Sequence, residues 1–221
     1  VTVELPQVEV QSLFSHGIDF YERRIYLTGA ITEEVSSNLV RSLHLMSRIS
    51  DPIEIVVQSY GGDLCAMFAI YDAIQIINSE ASPIHTVGTG EVSSAALIIL
   101  SCGRTRSATK NTYAMAHTAS SDVQENYAHT VLSGARATDD MNQRMWELLA
   151  QHTFLSAKQW SDEAKNLGEV WMTADELKER GVIDDIIEPK CPPKKPVRPR
   201  SKSAATVKKS KRAKTSGVRK R

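Results

Sequence analysis

The 221 residues carry a formal net charge of +1, yet all 26 acidic residues lie at or before Glu188, and 14 of the 27 basic ones lie from Lys190 onward. That length suits one domain, or one domain and a tail. Nothing in it approaches the ~18 consecutive apolar residues of a membrane span or the charged-then-apolar opening of a signal segment, and the expectation is an aqueous, cytoplasmic protein.

In chain order, Ile53 to Ser59 alternates as a strand, Tyr60-Gly61-Gly62 breaks it, and Asp63 opens a helix through Ala66, Ile70, Ile74 and Ile77. Two adjacent glycines let the backbone approach a ligand, so this is either an oxyanion-binding turn or a plain strand-to-helix turn. Pro83 to Val87 reads as a short buried strand. Gly88 and Gly90 allow a tight turn, and Ser94-Ala95-Ala96 begins an apolar helix closed by Gly103. A serine at the first turn of a helix either caps it or serves as a nucleophile beside unpaired N–H groups that face a developing oxyanion. Ser93 would cap equally well. Tyr113 to His117 is a small apolar strand ending on an imidazole, again structural or catalytic. Cys65, Cys102 and Cys191 are unpatterned, and His16, His44, His85, His129 and His152 lack ligand spacing, so neither a disulfide framework nor a metal site is suggested.

The order of these motifs resembles the proteolytic subunit of the Clp protease, the ClpP family of serine peptidases, from about Glu22 to Ile187. Arg24-Ile25-Tyr26-Leu27-Thr28-Gly29 looks like the family's opening strand. Gln58-Ser59-Tyr60-Gly61-Gly62 stands where the family usually has Asn-Ser-Pro-Gly-Gly, and Gly90-Glu91-Val92-Ser93-Ser94 matches its Gly-x-x-x-Ser nucleophile segment. His117 falls at the family's base and is followed by Thr118-Ala119 rather than the common Gln-Pro. Met141 to Thr153 is similar to the long handle helix between rings, with Met145, Leu148 and Leu149 needing a cover. Trp171 to Leu177 and Gly181-Val182-Ile183-Asp184 match the closing segment. The resemblance implies an α/β spiral fold with a protruding handle helix, and a Ser94–His117 pair with an oxyanion hole from the Gly62 and Ala95 N–H groups. The third residue is Glu169, two before an aromatic where the family has aspartate, with Asp162 or Asp175 as alternatives. It further implies polypeptide substrates, no metal or organic cofactor, a homo-oligomer of two heptameric rings and an ATP-driven AAA+ unfoldase partner, since the chain has no Gly-x-x-x-x-Gly-Lys loop.

Two rival classes are a crotonase-like acyl-CoA enzyme, which would lack the serine–histidine pair, and a catalytically silent subunit of a mixed Clp ring, which Tyr60, Thr118 and Glu169 keep open. The organisation expected is a divergent segment 1–21, a peptidase domain 22–189 and a disordered basic tail 190–221. The tail has four prolines and no aromatic residue, and cannot bury enough apolar surface to fold alone. It is either a solvated extension or an arm for nucleic acid or another polyanion. The latter would suit a viral or phage relative.

Overall fold

The computed structural model describes residues 7–80, 82–119 and 127–188. After α1 (Gln7–His16) and the short β1 (Ile18–Asp19), strand and helix alternate: β2 (Arg24–Ile31), α2 (Glu33–Met46), β3 (Ile53–Gly62), α3 (Leu64–Glu80), β4 (Ile84–Ser93) and α4 (Ala95–Ser101). Each strand here pairs parallel with the next, β2 to β3 and β3 to β4, as connections through helices require. Ile18 and Asp19, in the stretch expected to be divergent, join this body, because β1 pairs antiparallel with β2. β3 points Ile53, Ile55 and Val57 into the core, where each is fully buried. α4 is buried along its whole length, Ala95 through Ser101, so a run with no polar face becomes the central helix. The expected α/β class holds.

The second half of the chain builds the site's walls. β5 (Thr105–Thr109) and β6 (Tyr113–His117) both pair with β4, on different stretches of it. His85 to Gly88 carries β5, while Glu91 to Ser93 carries β6. The division falls around Gly90, whose φ of +60° turns the strand. β6 then pairs antiparallel with β7 (Glu169–Thr173), and β8 (Asp185–Ile187) closes against β5. Helices α5 (Ala128–His152), α6 (Ala157–Leu167) and α7 (Ala174–Glu179) complete the fold.

Two local expectations are corrected. The glycines break neither strand: β3 runs through Gly61 and Gly62, paired with Ala30 and Ile31, and β4 runs through Gly88 and Gly90. The partner strands go on accepting main-chain bonds, and the irregularity is absorbed as register shifts. The long helix begins at Ala128 rather than near Met141, and at 25 residues is about 37 Å long. Residues 128–140 bury no side chain, whereas Met145, Trp146, Leu148 and Leu149 are buried. The apolar face expected to need a cover, from a partner or from the body, is covered by the chain's own body, and the apolar residues left exposed lie earlier, at Tyr127, Val131 and Leu132. The basic segment from Lys190 lies outside the described residues.

Candidate active site

The backbone at Ser94 has φ 58° and ψ −127°, and Arg23 is the other non-glycine residue with positive φ among those described. Such a conformation costs of order 1–3 kcal/mol and persists only where the surroundings over-determine it. Here they do. The Ser94 N–H donates to the Met115 carbonyl at 2.7 Å, and the Ser94 carbonyl accepts from Leu97 N–H at 3.0 Å. The side chain makes no capping bond to α4, so the capping reading does not describe it. Instead its Oγ lies 2.9 Å from His117 Nε2. Ser93 is fully buried, and its hydroxyl donates to Glu91 Oε1 at 2.8 Å.

The meeting of Ser94 and His117 follows from the division of β4. Ser93 pairs with Met115, which sets Ser94 beyond the end of one strand and His117 at the end of its neighbour. Gly61 must be glycine for this to occur, since a Cβ there would lie 2.7 Å from Ser94 Cβ and 2.8 Å from the Ser93 carbonyl oxygen. The Gly61 N–H donates to Ser59 Oγ at 3.0 Å, and that hydroxyl donates to the Gly29 carbonyl at 2.6 Å. Ile31 pairs with Gly62 and accepts from Asp63 N–H at 2.9 Å. In a parallel ladder that geometry turns Gly62's own N–H away from β2, toward the side of β4. Ala95 opens α4, so its N–H has no partner within the helix. Ser59 was not singled out from the sequence, although its signal is there: it is a polar residue on the buried phase of β3.

An apolar wall of Leu97, Ile98, Ala116, Met145, Trp146 and Leu149 surrounds the pair. The C-terminal end of α5, which supplies half of that wall, is fastened by Arg106. Its guanidinium bonds Asp184, the His152 carbonyl, and the Gly181 carbonyl at 2.9 Å. Beside it Tyr71 Oη lies 2.8 Å from His152 Nε2. Burial pushes the Tyr71 phenol up to about 12, and burial with the Arg106 charge lowers the His152 imidazole. Both stay neutral near pH 7 as parts of a packed joint.

The carboxylates expected to orient His117 are separated by the structure. Glu169 is directly opposite His117 as the last pair of the β6–β7 ladder, where Cβ atoms stand about 4.5–5.5 Å apart. Its exposed carboxylate accepts from Trp171 Nε1 at 2.9 Å, and among the described residues the His117 ring has Ser94 Oγ as its polar partner. Asp175 is paired with Lys110 at 2.8 Å and Asp162 with Lys158, both at the surface. Tyr60 is exposed, so the residue replacing the family's proline is accommodated outside the core.

A hydroxyl hydrogen-bonded to an imidazole, at the first turn of a helix and beside apolar walls, has parts used in acyl transfer. The Clp protease family model matches residues 13–190. Among curated proteins, the chain is 33% identical over 168 residues to the ATP-dependent Clp protease proteolytic subunit 2 of Treponema denticola, covering 74% of this chain and 81% of that one. It is 30% identical over 190 residues to the corresponding subunit of Bacteroides fragilis, covering 81% and 88%. A solved ClpP1 variant from Listeria monocytogenes superposes with a TM-score of 0.68 at 27% identity, over 77% of this chain and 94% of that one. The chain belongs to the Clp protease family.

Proposed function

We propose that this chain is a serine-type endopeptidase, the proteolytic subunit of a Clp-type protease, with Ser94 as nucleophile and His117 as base. The observation that carries the reading is the 2.9 Å contact between Ser94 Oγ and His117 Nε2, made from a strained backbone position that a capping serine would not need. In the first half-reaction Ser94 Oγ attacks the scissile carbonyl carbon as His117 Nε2 takes its proton. The carbonyl electrons move onto oxygen, which the Gly62 and Ala95 N–H groups stabilise. Collapse of this intermediate expels the amine, which receives the proton from His117, and leaves an acyl-serine. Water then repeats the sequence and frees the enzyme. Glu169, opposite His117 in the ladder, is the proposed orienting acid; engagement requires its carboxylate to turn from the Trp171 indole toward Nδ1.

Polypeptides are the proposed substrates, delivered by an ATP-driven unfoldase, in keeping with the relatives' names. The proposed assembly is a homo-oligomer of two heptameric rings, joined through the first half of α5 with its exposed Val131 and Leu132; light scattering at micromolar concentration should give a mass of many subunits. The basic segment 190–221 is proposed as a polyanion-binding arm, on the strength of 14 basic and no acidic residues after Pro189.

A fluorophosphonate probe followed by peptide mapping tests the chemistry. The label should fall on Ser94, vanish in Ser94→Ala and persist in Ser93→Ala, whose hydroxyl is buried against Glu91. Labelling that survives Ser94→Ala removes the assignment.

A further inference from the structure

Both ladders that hold β6 stop at or before the proposed base. The pairing with β4 ends at Met115, and the pairing with β7 ends at His117 itself. Strand ends fray when their main-chain groups lose partners, yet the His117 ring must stay within hydrogen-bond reach of Ser94. Two residues farther on, the backbone is caught again by a side chain. Asn142, on the first buried turn of α5 and only 7% exposed, accepts from the Ala119 N–H at 2.8 Å through Oδ1 and donates to the Ala119 carbonyl at 3.2 Å through Nδ2. One carboxamide thus closes both polar groups of one residue, as a neighbouring strand would. A buried amide without such partners would be destabilising. The arrangement also requires that residue 119 carry an N–H, which a proline there would lack.

We infer that Asn142 is a positioning residue for His117: its carboxamide acts as a side-chain strand that fixes the exit of β6 and sets the imidazole against Ser94. The inference rests on the Ser94–His117 reading above and adds to it a residue that touches neither the nucleophile nor the base. Because α5 also supplies Met145, Trp146 and Leu149 to the wall around the pair, the Asn142 link ties the base and that wall to one helix.

The test compares Asn142→Leu, which keeps the volume and removes both bonds, with Asn142→Asp, which keeps an acceptor for the Ala119 N–H. The full chain is used, with fluorophosphonate acylation rate, kcat and KM on a short chromogenic peptide amide, and melting temperature as readouts. Small displacements of a catalytic group can cost about 10²-fold, so Asn142→Leu should slow acylation and lower kcat by at least about tenfold. KM should change less than twofold, and Asn142→Asp should recover part of the rate. Acylation within twofold of the native chain in folded Asn142→Leu overturns the inference. If that variant does not fold, Asn142→Ala, which also removes both bonds, decides on the same twofold criterion. Absence of label on Ser94 in the native chain would instead overturn the underlying peptidase reading.

Discussion

Replacing Glu169 by Gln tests the least settled member of the proposed triad, and the structure sets the size of the effect. Glu169 and His117 are direct cross-strand partners, close enough for a carboxylate to approach an imidazolium at about 4 Å. Two unit charges at that separation attract by about 1 kcal/mol in bulk water and about 4 kcal/mol at the effective dielectric near a protein surface. At about 1.4 kcal/mol per decade these limits span roughly fivefold to a thousandfold in rate. The Glu169 carboxylate is exposed, which favours the lower part of the range, while loss of tautomer control by an amide acts in the same direction as loss of charge. We therefore expect Glu169→Gln to lower kcat about 10²-fold with the fold intact, and Glu169→Asp to lose less because its charge remains. The assay is steady-state hydrolysis of a short peptide amide, with melting curves as the control for folding. Asp162→Asn and Asp175→Asn should be near native, since both carboxylates are held by surface lysines. Native-like turnover in Glu169→Gln together with collapse in either control would refute the reasoning and move the role to that aspartate.

Gly61→Ala should cost about 1–3 kcal/mol in stability from its φ of +96° alone and should largely abolish Ser94 labelling, because the added carbon meets Ser94 and Ser93; native-like labelling would show that the nucleophile does not depend on this close approach. The Arg180 guanidinium bonds the Glu163 carboxylate at 2.7 and 2.8 Å and holds it below its ordinary value of 4.5. That pair's stabilisation is present above pH 4.5 and is lost as pH falls through the lowered folded value. The melting-temperature difference between the native chain and Glu163→Gln should accordingly shrink in acid, and a difference constant down to about pH 2 would contradict it. Truncation after Pro189 should remove salt-sensitive retention on DNA while leaving peptide hydrolysis intact; equal retention with and without the segment would exclude the arm.

The motifs that carry chemistry are local and were legible in the residues: the Gly90 to Ser94 segment, the glycine pair at 61 and 62, the strand ending at His117, and the helix following Asp63. Each combines small residues or turn formers with an apolar run, and backbone sterics act within a few residues of where they are written. Pattern alone left the role of Ser94 open between cap and nucleophile. Its hydroxyl is directed by a histidine 23 positions away, through a strand pairing that no local rule specifies. Likewise the glycines read as strand breakers became strand interior, because neighbouring strands went on supplying main-chain partners. Met145, Leu148 and Leu149 displayed an apolar face without saying what would cover it, and the cover comes from the chain's own core, including Leu97 and Ile98 of α4. Asn142, an unremarked polar residue on a helix, acquires its meaning only when the end of β6 arrives beside it. Composition, turn chemistry and periodicity thus determined the elements and the reactive residue types. Which hydroxyl meets which imidazole, which carboxylate stands opposite, and which helix face is buried were decided by long-range strand pairing and packing, whose free energy depends on surfaces brought together only in the folded chain.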